Sequence, residues 1–111
     1  MNVARQSPRV EEDGTLRWYA GDTFTLTLKF ELVDLNDNPI NPNPTDKIHV
    51  EFKNNKDEVV ATFEETGVSS IDIVMNQETS NKFKEGVYSI LVKYNGEYVT
   101  TLLKNSKVVV E

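Results

Sequence analysis

The sequence predicts an all-β fold, an antiparallel β-sandwich of seven to eight strands with one short helical turn. Three observations carry this. Apolar and polar residues alternate strictly over ten positions from Thr23 to Leu32. Segments of that period recur every eight to twelve residues, divided by Asn-, Asp- and Gly-rich turns. No segment carries the 3.6-residue period of a long helix.

The first fourteen residues mix charge with Pro8 and Gly14 and hold almost nothing apolar, which marks 1–14 as a flexible N-terminal arm, disordered in isolation, and 15–111 as a single β-sandwich domain. Order is expected from Thr15. Leu16, Trp18 and Ala20 alternate with Arg17 and Tyr19, and Gly21-Asp22 turns the chain. From Thr23, Phe24, Leu26, Leu28, Phe30 and Leu32 share one face, while threonines, Lys29 and Glu31 share the other. Such alternation describes a strand with one buried and one wet face.

Residues 34–44 are turn-forming, with Asn and Asp able to bond their own backbone and Pro fixing φ. Lys47–Lys53 alternates again with Ile48, Val50 and Phe52 inward, and Asn54–Asp57 reads as a hairpin turn into Glu58–Phe63. Ile71, Ile73 and Met75 form the next apolar set. Asn76 then offers a helix cap with Glu78 near the positive end of one or two turns. Val87–Tyr94 returns to strand, with Tyr88, Ile90, Val92 and Tyr94 on one side. Asn95-Gly96 predicts a type I′ hairpin into Glu97–Leu103, and Lys104–Ser106 is expected to turn the chain into a last strand, Lys107–Val110.

The chain has 111 residues, enough for one core, and no cysteine, which excludes disulfides and thiolate metal sites. Its formal charge is −6 without any Lys/Arg cluster, so neither nucleic acid nor an anionic membrane surface is an expected partner. No apolar run reaches membrane-spanning length, and the N-terminus lacks a signal-peptide core.

Chemistry is sparse. His49, the one histidine, is placed on the wet side of its strand with no nucleophile or orienting acid near it in sequence. Asp34–Asn38 spaces oxygen ligands like a calcium loop, but Pro39 and Thr45 stand where such a loop needs Gly and Glu. An Asn/Asp turn is expected there. The carboxylate pairs Glu11–Asp13 and Glu64-Glu65 do not face across a cleft. No catalytic residue, cofactor or metal is expected.

Several segments together resemble the small N-terminal structural domains of baseplate upper proteins in phages of Gram-positive hosts. They are Leu16–Tyr19 with Gly21–Phe24, Asp37–Ile40 (the family's turn with its first glycine replaced), Lys47–Lys53, Glu78-Thr79, Lys82-Phe83, Gly86–Tyr88 and Gly96–Leu103. The resemblance spans about residues 15–111. It implies an immunoglobulin-like module that docks into a virion by contact with other virion proteins or with itself, after assembly in the bacterial cytoplasm. In that family a stalk or receptor-binding region follows the module; this chain ends at Glu111, so a stand-alone tail or baseplate adaptor is the expectation.

The expected interface residues are Arg5 and Arg9 in the arm with Trp18, Tyr19 and Tyr98. Two alternatives stand beside this reading: a carbohydrate-binding module stacking sugars on those aromatics, and an immunoglobulin-like spacer of a bacterial surface protein.

Overall fold

A computed structural model of the chain describes residues 8–97 and 99–111. Eight strands and one helical turn follow in order: β1 (Arg9–Val10), β2 (Leu16–Trp18), β3 (Phe24–Lys29), β4 (Lys47–Lys53), β5 (Val59–Thr66), β6 (Ser70–Met75), α1 (Gln77–Ser80), β7 (Gly86–Asn95) and β8 (Val99–Val110). They form a six-stranded sheet ordered β1-β2-β8-β7-β4-β5 and a two-stranded sheet, β3-β6. The chain crosses between sheets after β2, β3, β5 and α1, and the fold is a β-sandwich with an immunoglobulin-like strand order. One pairing departs from a purely antiparallel plan: β2 lies parallel to β8, with Leu16 opposite Val108 and Trp18 opposite Val110.

Alternation explains the two layers. Ile48, Val50 and Phe52 of β4, Tyr88, Ile90, Val92 and Tyr94 of β7, and Val108 and Val110 of β8 are buried from the large sheet. Ile71, Ile73 and Met75 of β6 face them. Strand β3 alternates as expected, but its apolar face is only half-buried, and among the described residues no strand pairs with its outer edge. Each buried side chain of this size is worth roughly 1.5–3 kcal/mol, so the interlayer face, with no disulfide, carries the stability.

Tyr88 adds a tyrosine corner at the start of β7. Its hydroxyl donates to the Lys84 carbonyl at 2.8 Å and accepts the Lys84 N–H at 2.9 Å. A buried phenol is thereby satisfied by the loop it pins.

Two expected turns differ. The expected break at Lys104–Ser106 is instead a distortion inside one twelve-residue strand. Ile90 faces Ser106 while Val92 faces Leu103, so β8 carries an extra residue there, and Asn105 takes φ 52°. This is a bulge, which bends a strand without ending its pairing. Asn95-Gly96 is not a two-residue type I′ turn either. Asn95 pairs with Val99, making the connection three residues long, and neither Asn95 nor Gly96 is among the positive-φ residues.

The described part of the expected arm, 8–14, is structured. Arg9 pairs with Arg17 and Val10 with Leu16. A tight turn at Gly14 (φ 89°) returns the chain, held by the Thr15 N–H on Asp13 Oδ1 at 2.9 Å. Those contacts hold the Asp13 carboxyl below its ordinary range.

Candidate functional site

The sequence-derived interface residues do not converge. Arg5 and Tyr98 lie outside the described residues. Arg9 sits on β1 and reaches Glu111 at 3.7 Å across an exposed pair, a contact worth little in water. Trp18 is a correction: it is 1% exposed and cannot touch a partner or stack on a sugar. Its ring is packed edge-to-face against Phe24 and Phe83, both at 5.3 Å, and Phe52 at 6.1 Å. The alternation that puts Trp18 inward leaves its neighbour Tyr19 half-buried.

His49 is half-buried on the outer face of the large sheet, with Nε2 3.1 Å from Glu51 and Nδ1 3.3 Å from Glu64. Two carboxylates flank it, and the arrangement is a cross-strand polar cluster. Asp34 is also committed. Its Oδ1 accepts the N–H of Asn36 at 2.8 Å and of Asn38 at 3.0 Å. Those amides, Asn38 foremost, hold its carboxyl below the usual range. Among the described residues no three His, Asp or Glu side chains converge as a metal ion requires.

A concave feature lies elsewhere, at the end of the sandwich away from Trp18. It is a groove of about 730 Å³ between the 31–43 segment and the β7–β8 hairpin. One wall is a small ribbon that continues β3. Val33 bridges Pro39, the Ile40 N–H bonds the Leu32 carbonyl at 3.0 Å, and the Asp34 N–H bonds the Asn38 carbonyl at 2.9 Å. Asp37 supplies φ 61° at the tip, a conformation Asp tolerates better than most side chains. The ribbon leaves Leu35 fully exposed and Val33 and Ile40 about half exposed. Leu102 and Thr100 of β8 line the opposite wall.

The floor is Asp46 with Tyr94. Asn43–Asp46 is a turn in which the Asp46 N–H bonds the Asn43 carbonyl at 3.0 Å, while Asp46 Oδ2 accepts the Asn43 N–H at 3.1 Å. The Tyr94 hydroxyl donates to that same oxygen at 2.6 Å. Burial, and then the bond to Asp46, push the Tyr94 phenol up to about 12. Gly96 lets the hairpin close on this carboxylate, since a Cβ there would lie 3.1 Å from Asp46 Oδ1. The Gly67 N–H holds the Asp46 carbonyl at 2.8 Å from the other side.

Charge in the groove has one sign. Glu31, Asp34, Asp46 and Glu97 line it, and no Lys, Arg or His is among the described lining residues. Apolar walls beside fixed carboxylates suit an extended chain that carries a cation among apolar side chains. Sequence reading placed Tyr94 inward but missed Asp46 as its partner. The available signal was the rule that a buried phenol needs an acceptor, which an Asp at a strand entrance can supply.

Comparison with family models, curated proteins and solved structures finds no match to this chain.

Proposed function

We propose that the chain is a non-enzymatic structural adaptor of a phage or prophage virion, in the tail or baseplate, working by protein–protein contact. The observation that carries the contact-based part is the groove, where Val33, Leu35 and Ile40 stand exposed beside four carboxylates. Exposing apolar side chains around a concave, single-sign surface has a cost in water that a partner removes. The virion part rests on the resemblance of residues 15–111 to baseplate upper-protein domains. The immunoglobulin-like strand order agrees with that resemblance but is shared by many unrelated domains.

Immunogold electron microscopy of particles released after prophage induction of the source strain tests this reading. Gold at the tail end is the expected result. Gold on the head would move the protein to capsid decoration, and unlabelled particles with a validated antibody would overturn the virion role.

A further inference from the structure

We propose that the acidic groove receives the N-terminal segment of a second copy of this chain, residues 1–7, with Arg5 directed at its carboxylates, so that copies join head to tail. The inference rests on reading the domain as a protein-contact module and names the partner of its groove.

Charge selects the occupant. The whole chain carries −6, so most of a second copy is repelled by a groove lined with Glu31, Asp34, Asp46 and Glu97. The first nine residues hold two arginines and no acid, whereas the comparable stretch Val99–Val110, with two lysines and no acid, is already paired as β8. Met1, Val3 and Arg5 fall at alternate positions, the spacing with which an extended chain presents side chains to one face. Among the described residues the adjoining edge of β3 has no paired strand, and its Leu28 is half-buried, so backbone pairing is open to an incoming strand.

Geometry excludes the chain's own arm. Arg9 lies beside Arg17, which lies beside Val109, at the opposite end of β8 from Leu102. Moving from Val10 to Arg9 follows β8 from Val108 towards Val110, away from the groove. Leu102 is roughly 23 Å from Val109 at ~3.3 Å per strand residue. From Pro8 back to Val3 the chain spans at most ~17 Å. Arg9 and the groove therefore lie towards opposite ends of β8. Unlike surfaces at opposite ends make a heterologous contact, which propagates into a ring or a filament.

The absence of cysteine makes the test clean. The full chain carrying Val3→Cys and Leu102→Cys, oxidised with glutathione disulfide, should give a ladder of linked copies on a non-reducing gel. Val3→Cys with Lys56→Cys, in the exposed β4–β5 turn, should not. By sedimentation velocity, Arg5→Glu and Glu97→Lys should each weaken self-association about tenfold or more, and the two together should restore it. A protein that stays monomeric at millimolar concentration, a ladder equally strong with Lys56→Cys, or charge reversals without effect would overturn the inference. Monomeric protein on gold-labelled tails would remove the self-docking and leave the adaptor reading. A ladder with unlabelled particles would do the reverse.

Discussion

The two ends of the sandwich are closed by different chemistry. At one end Trp18, Phe24, Phe52 and Phe83 meet edge-to-face, and α1 ties down the incoming turn. There Ser80 Oγ donates to the Asp22 carbonyl at 2.7 Å, with Ser80 fully buried. At the other end the layers part around a groove, and the closure is a carboxylate–phenol pair with hydrogen-bonded loops. The aromatic end gains from every atom it removes from water. The polar end leaves apolar side chains exposed while keeping Asp46 in a fixed place. The contrast teaches that the aromatic packing which holds the layers together and the concave, acidic surface lie at different ends of the strands.

The strongest way to break this division is Trp18→Ala, expected to cost about 3–5 kcal/mol in urea denaturation while leaving the groove's charge intact. Trp18→Phe should cost much less than the alanine change. It keeps a ring in the site and removes Nε1, a buried donor that has no acceptor among the described residues. A similar loss for both variants would mean that the ring contacts are not what holds this end.

Tyr94→Phe probes the other end. It deprives the Asp46 carboxylate of its phenolic donor and should cost about 1–3 kcal/mol at neutral pH. The pH dependence has a definite sign. The folded-state pKa, about 12, lies above the ordinary value of 10.0. The contribution is therefore full below pH 10 and is lost as pH rises towards 12. Denaturation midpoints should fall over that window in the parent and be flatter in Tyr94→Phe. Parallel profiles would show that the phenol is not held by Asp46.

Asp34→Ala should have the smallest effect on global stability and a clear local one. Without the carboxylate, the Asn36 and Asn38 N–H groups lose their acceptor. Their amide hydrogen exchange should quicken while exchange in β4 is unchanged. Because this carboxyl is held below 3.8, the parent should show the same local loosening only as pH falls past that value. Unaltered exchange at both amides would mean the ribbon is held by its backbone pairs alone.

The layers were legible because period-two alternation reports which face is buried. Phe24–Phe30, Ile48–Phe52 and Tyr88–Tyr94 all fall as their alternation predicts. Local polar signals with one available geometry were equally readable. Asn76 caps α1 through the Thr79 N–H at 2.8 Å, and Asn54 Oδ1 organises the β4–β5 turn through the Lys56 N–H at 2.9 Å and the Glu58 N–H at 3.0 Å. Signals that depend on distant partners misled. Gly96 is explained by the approach of Asp46, fifty positions away, and not by a type I′ turn. Asn105 looked like a turn residue, yet β7 keeps pairing through it and leaves a bulge. Most of the candidate site was hidden for the same reason. Asp46, Tyr94 and the 33–40 ribbon become a groove only when two segments far apart in sequence are brought face to face.

The parallel contact between β2 and β8 has a consequence for timing. Strand β2 has two hydrogen-bonded neighbours, the two-residue β1 and residues 108–110 of β8. During synthesis Trp18 leaves the ribosome some ninety residues before the segment that fixes it, so the aromatic end cannot close until the last strand is free. Pairings of such sequence separation are slow to form and are lost together. The domain is therefore built to fold after release of the whole strand set, in one cooperative step.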